Sequence, residues 1–300
     1  MQLHHVPFWS TLLLEITETR SWSIFGYCTA TMFITSMLFL KGLTFIMNCN
    51  FFIMRIKLGK GGPLVEPQYL ITNQEFPNKA ILVFTNSMVN AIKKLTKPID
   101  EIKYPSNFPC RVMYKDAELS VLMPYYGAPA TIFAFEIAIA YKINKFIIVG
   151  EAGAIDPRVK LTDLVLVSWG IREEGTSYHY KPSDYIPRIN NYIQKELVKT
   201  IQERGYENKL HIGGVWSIDA VFRETEDKIK EFRNKGILCL DMESTALMTV
   251  ADYRNVDIAI LLVISDLLYG EKWITGWKTE ELKFMEEEAV HIALETIYKL

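Results

Sequence analysis

KFIIVGEAGAIDP, residues 145–157, decides how the chain is read. A short β-branched run passes straight into a glycine-containing segment that carries a carboxylate, Glu151. A second run, IAILLVI at 258–264, does the same and ends on Ser265 and Asp266. Apolar runs of this length, bounded by small and polar residues, are strands buried in a sheet.

Working outward, AILVF (80–84), LSVLM (119–123), DLVLVSW (163–169), HIGGVW (211–216) and ILCL (237–240) read as further strands. Amphipathic stretches fill the gaps. GAPATIFAFEIAIAY, from Gly127, has a proline suited to a first helical turn. Residues 187–204 carry helical spacing through Ile189, Tyr192, Ile193, Leu197 and Ile201, up to Gly205. From Thr279, with Glu280 and Glu281 in its first turn, a last helix places Leu282, Met285, Ala289, Ile292 and Ile297 on one face. Strands alternating with helices predict an α/β fold with a mixed central β-sheet flanked by helices.

The first fifty-odd residues differ. Ile24–Leu40 contains no charge, and the apolar character continues after Lys41 to Met54. Such a run reaches the lower edge of the roughly 17–25 residues that span a bilayer, and Lys41, Arg55, Lys57 and Lys60 would keep the rest of the chain on the cytoplasmic side. A membrane contact through residues 24–54 is one reading; a surplus leader, with Met54 as the working start, is the other. Glu15 and Glu18 ahead of the run argue against a secretory signal. The organisation expected is a leader over 1–62 and a catalytic domain over 63–300.

Lys and Arg total 33 against 35 Asp and Glu, a formal charge of -2, so no basic field exists to hold a nucleic-acid backbone. Small-molecule substrates are expected. The four cysteines stand far apart without a CxxC pair, which points to neither a disulfide framework nor a zinc site and suits a cytoplasmic protein. The strings HExxH, GxGxxG, GxxxxGK[ST] and GxSxG do not occur, against zincins, dinucleotide enzymes, P-loop NTPases and serine hydrolases.

Ligands of α/β sheets bind beyond the carboxyl ends of the strands. Gly150 and Gly153 there permit a tight turn and a close backbone approach. Asp241, Met242 and Glu243 follow ILCL at the start of a helix, where Glu243 is either a ligand group or a charge favoured by the helix dipole. Ser265 and Asp266 follow seven apolar residues, and Asp266 is either an active carboxylate or a cap.

In their order, GEAGAID (150–156), TDLVLVSWGIREEGTSYHY (162–180), DMES (241–244) and SD (265–266) resemble the nucleoside phosphorylase and nucleosidase superfamily, on the branch of the uridine and hexameric purine nucleoside phosphorylases. The resemblance runs from about Pro63 to Leu300. It implies that Glu243 holds the ribose hydroxyls with Met242 against the sugar. It also implies that Asp266, beside Ser265, protonates a leaving purine, and that Val221 and Phe222 wall the base. Gly150, Glu151 and Gly153 would face phosphate, the co-substrate; no other cofactor and no metal is implied. Arg172 lies in a stretch shared with the family, or is paired with Glu173 or Glu174. Tyr178 and His179 are read as structural. A homo-oligomer, dimer or hexamer, is implied.

Three positions depart from that pattern. Relatives that use phosphate carry a glycine-rich turn ending in arginine after the first strand, where this chain has Thr85, Asn86, Ser87, Met88 and Val89. Ile148 replaces a second arginine, and Glu151 replaces a threonine. A carboxylate at 151 repels a phosphate dianion unless it is neutralised. Thr225 and Asp227 stand where uridine phosphorylases read uracil, so base identity does not carry over. Phosphorolysis of a uridine or purine nucleoside is the leading expectation. Hydrolysis with Glu151 as base, and a non-catalytic nucleoside-binding protein, are the alternatives.

Overall fold

In the computed structural model the described residues are 58–96, 100–101, 110–115 and 118–300. The apolar run at 24–54 lies outside them. Strand β5 (Lys145–Ala154) is the hub. It pairs with β9 (Asp257–Leu267) along one edge, and along the other with β1 (Lys79–Val83) and then, at Gly153 and Ala154, with β8 (Ile237–Asp241). With β2 (Asp100–Glu101), β3 (Cys110–Lys115), β4 (Ser120–Pro124), β6 (Leu164–Glu173), β7 (Leu210–Ile218) and β10 (Ile274–Thr275), the sheet order is β10-β9-β6-β7-β8-β5-β1-β4-β3-β2. Because β9 also pairs with β5, the strands β5, β9, β6, β7 and β8 close into a ring, from which β1, β4, β3 and β2 extend as an open wing.

The tight turn expected at Gly150–Gly153 does not form. β5 continues through it, because β9 runs parallel beside it from Lys145↔Asp257 to Ala154↔Leu267, and β8 takes up Gly153 and Ala154 in antiparallel pairing. Pairing on both edges satisfies backbone groups that a turn would have to satisfy by itself.

Alternate side chains of β5 feed two cores. Phe146 and Ile148 pack with Phe135 of α2 (Ala128–Ala140) and Leu247 of α5 (Ser244–Arg254). Ile147 and Val149 pack with Ile92 of α1 (Asn86–Leu95), Leu197 of α3 (Tyr192–Glu203) and Met285 of α6 (Glu280–Tyr298). Ile147 is fully buried, so Ile147→Ala would cost about 2–5 kcal/mol. A third cluster sets Phe232 of α4 (Glu226–Asn234) against Trp216.

Helix α3 is shorter than its spacing suggests. It starts at Tyr192, where Asn191 Oδ1 accepts the Gln194 amide at 3.1 Å. Residues 187–189 instead run along β6: the Gly170 amide donates to the Pro187 carbonyl at 3.1 Å, and the Ile189 amide to that of Ser168 at 2.8 Å. Ile189 is buried by this bridge and not by a helix face. Helix α6 begins as expected, with Thr279 Oγ1 accepting the Leu282 amide at 3.2 Å. No described helix is long and apolar enough to cross a membrane.

Candidate functional site

The ends of β5, β8 and β9 meet at a cavity of about 580 Å³. Into it open Gly150, Glu151 and Gly153 from β5, Asp241 at the end of β8 with Met242 and Glu243 after it, and Ser265 and Asp266 from β9. Val221 and Phe222, on a short turn after β7, and Trp273 and Trp277 beyond β9 form its mouth. Of the residues that the sequence assigns to the ligand site, all but Arg172 therefore line one space.

Arg172 is the exception. Its guanidinium turns into its own loop, donating to the Ser177 carbonyl and hydroxyl at 3.4 Å each and to the Pro182 carbonyl, and lies 4.4 Å from the Tyr178 ring centre. Tyr178 in turn donates to the Arg172 carbonyl at 2.7 Å. No salt bridge joins Arg172 to Glu173 or Glu174 among the described residues.

Helix α5 explains how Glu243 is kept available. Its amides at Glu243 and Ser244 are capped by Asp241 Oδ1 and Oδ2, at 3.3 and 3.1 Å, and Ser217 Oγ donates to Asp241 at 2.5 Å. Glu243 is thereby relieved of capping. Its carboxyl accepts the Gly127 amide at 2.5 Å and the Met242 amide at 3.2 Å. Gly127 has φ 93°, a left-handed conformation that favours glycine and aims this amide into the site. Burial pushes the Glu243 carboxyl up to about 8; the nearby Asp241 charge adds to the rise, and the two amides oppose it. Burial also raises Asp241.

Asp266 owes its aim to a β-bulge between Ala152 and Gly153, which sets it opposite Gly153. Ser265 Oγ donates to Asp266 Oδ1 at 2.7 Å, and Trp273 Nε1 to Oδ2 at 2.8 Å. A Cβ on residue 153 would sit 2.3 Å from Leu268 Cδ1 and 3.0 Å from Asp266 Oδ2, so close approach requires glycine here.

Glu151 also borders a neighbouring pocket, where it meets Glu286, a residue the sequence did not single out. Burial first, then the hydrogen bond and charge of Glu286, push Glu151 up to about 8. Thr85 Oγ1 donates to Glu286 Oε1 at 2.6 Å while accepting the Met88 amide at 3.2 Å as the cap of α1. Glu224, also not singled out, is pushed up to about 7 by burial and the Asp266 charge. A signal for Glu286 exists in the sequence: it falls four residues after Leu282 and three before Ala289, on the apolar face of α6. Thr225 and Asp227 hydrogen-bond to each other at the start of α4 and do not line the cavity.

Five carboxyl side chains, Glu151, Glu224, Asp241, Glu243 and Asp266, stand in an otherwise largely apolar lining, and no Lys or Arg is among it. Such a wall suits hydrogen-bond donors such as sugar hydroxyls, and it stabilises positive charge that develops during a reaction. Among the described residues no group of three or more His, Cys, Asp or Glu is arranged to hold a metal ion.

A family model described as the Phosphorylase superfamily matches residues 79–297. A purine nucleoside phosphorylase DeoD-type of Bacillus cytotoxicus is 31% identical over 186 residues, covering 61% of this chain and 76% of that one. The Bacillus cereus protein of the same name is 30% identical over the same shares. The crystal structure of uridine phosphorylase from Vibrio fischeri superposes with a TM-score of 0.64 at 26% identity, over 75% of this chain and 93% of that chain. Purine nucleoside phosphorylase from Toxoplasma gondii in complex with immucillin-H gives 0.69 at 16% identity, over 80% and 97%, a likeness of fold alone. With the family model spanning both walls of the cavity, the chain belongs to the phosphorylase superfamily.

Proposed function

We propose that this protein is a pentosyltransferase of the nucleoside phosphorylase type, transferring ribose from a nucleoside to phosphate. The observation that carries the reading is Glu243: a carboxyl at a helix start, freed from capping by Asp241 and turned into the same cavity as Asp266. In this reading the ribose hydroxyls donate to Glu243, with Met242 against the sugar, and the base lies beside Val221 and Phe222, within reach of Asp266. A phosphate oxygen attacks C1′ as the C1′–N bond breaks, and Asp266 delivers a proton to the leaving base. Ribose 1-phosphate and free base are the products. Positive charge develops on the ribosyl carbon, where the surrounding carboxyls stabilise it. The relatives named as purine nucleoside and uridine phosphorylases support this class.

A second reading, hydrolysis, is favoured by the Glu151–Glu286 pair and by the lack of Lys and Arg in the lining. Water would then attack C1′ as the C1′–N bond breaks, passing its proton to Glu151 in the ionised form that prevails above about pH 8, while Asp266 delivers a proton to the leaving base. The test is base release from a panel of purine and pyrimidine nucleosides with and without phosphate, with the sugar product identified. Phosphate-dependent release with ribose 1-phosphate supports phosphorolysis. Phosphate-independent release of free ribose, lost in Glu151→Gln, supports hydrolysis. No release from any nucleoside contradicts both.

The catalytic unit is proposed as residues 63–300, with 1–62 dispensable to it, in the cytoplasm. A homo-oligomer is supported by exposed apolar side chains on this unit, among them Leu64 (97% exposed) and Tyr69 (73% exposed).

A further inference from the structure

Asp266 accepts hydrogen bonds on both carboxyl oxygens, and the two donors differ in kind. Ser265 is its buried neighbour on β9. Trp273 is half-exposed, on the segment between β9 and the two-residue strand β10, and its ring meets Trp277 edge-on at 5.0 Å. An indole is a flat bicycle with one ring N–H. A purine carrying a proton on a ring nitrogen presents the same outline and the same donor to the same carboxylate. The Trp273 indole thus lies in the cavity where, on the functional reading above, the leaving base would lie.

We propose that Trp273 is a specificity-determining residue: its indole holds the base position at Asp266, and a base binds there by displacing it. The Ser265 bond, buried and made within one strand, stays. The Trp273 bond, on an exposed segment anchored by Ile274↔Leu267 and Thr275↔Asp266, is the one released. Displacement lowers the apparent affinity of every base by the fraction of molecules in which the indole is out. A bicyclic base replaces both the ring area and the N–H that leave. A monocyclic base replaces less of the ring area, so the device favours purines.

The test uses the full chain, hypoxanthine and uracil as probes, and two measurements. In Trp273→Phe, which keeps an aromatic ring and removes the N–H, hypoxanthine is expected to bind about tenfold more tightly than to wild type, and uracil to gain as well, because the competitor has lost its hydrogen bond. In the wild-type protein, saturating hypoxanthine is expected to increase iodide quenching of tryptophan fluorescence, since the indole moves outward. Unchanged or weaker hypoxanthine binding in Trp273→Phe would overturn the proposal. So would decreased iodide quenching in wild type, the signature of an indole covered by a stacked base, and this readout stands even if the variant does not fold. If wild type binds neither base and cleaves no nucleoside, the functional reading itself fails and the proposal falls with it. Binding without the tightening or the quenching change refutes the proposal alone.

Discussion

Glu286→Gln isolates the Glu151–Glu286 carboxyl pair. The substitution removes a charge and keeps the shape, and its side-chain oxygen can still accept from Thr85 Oγ1 as Glu286 does. Glu151 is lifted from 4.5 to about 8, with burial as the first cause and Glu286 as the next two. A carboxyl held above its unfolded value binds its proton more tightly in the folded state, so its stabilising contribution is complete below about pH 4.5. That contribution is lost as pH rises to about 8. Without Glu286, burial still raises Glu151, but less. If the folded value drops by one to two units, at about 1.4 kcal/mol per unit, the variant loses about 2 kcal/mol less on the way to pH 8.5. For a domain of this size that is about 4–8 °C in Tm. The assay is thermal unfolding of wild type and Glu286→Gln at pH 5 and at pH 8.5. Near-equal Tm values at pH 5 and a higher Tm for the variant at pH 8.5 are expected. Parallel curves at both pH values would refute the claim that Glu286 holds the proton on Glu151.

Gly153→Ala should cost about 1–3 kcal/mol and reduce turnover, because its Cβ meets Leu268 and the Asp266 carboxyl; denaturant unfolding and steady-state rates check this, and a silent substitution would contradict the close approach. Removal of residues 1–53 should leave an active oligomer, checked by size-exclusion chromatography and base release; an inactive or monomeric product would count against the corresponding half. Because Glu151 sheds a proton near pH 8, phosphate affinity should fall as pH rises through that value, and this fall should flatten in Glu151→Gln, measured as KM for phosphate.

Much of the fold was legible in the sequence because its strands are buried on both faces. KFIIV and IAILLVI carry no alternation to misread, and both are strands where expected. The last helix was legible because Thr279 supplies a cap and the glutamates follow it. What escaped were features set by neighbours in space. Gly150–Gly153 has the composition of a turn, but strands on both edges hold it extended. Ile189 keeps helical spacing with Ile193, yet the pairing of residues 187–189 with β6 takes it out of the helix.

The site followed the same division. Glu243 and Asp266 stand out because carboxylates at the ends of buried strands are rare, and they line one cavity. Glu286 was hidden because a glutamate in an acidic helix reads as a solvent charge, and only its place on the apolar face marks it. Trp273 was hidden because nothing in the sequence brings an indole seven residues on back to Asp266; the bond between them does.

Glu243, as the group that holds the sugar, carries most of the proposed chemistry. The most direct measurement is kcat/KM of Glu243→Gln on whichever nucleoside the wild-type protein cleaves, with circular dichroism recorded on both proteins. The amide keeps the shape and can still accept the Gly127 amide, but it offers the ribose hydroxyls one acceptor oxygen where the carboxyl offers two, and it cannot ionise above about pH 8 to stabilise a ribosyl cation. A fall of more than about a hundredfold, or about 2.7 kcal/mol of transition-state stabilisation, with an unchanged spectrum is expected. Turnover within a few-fold of wild type in a folded variant would contradict the assignment.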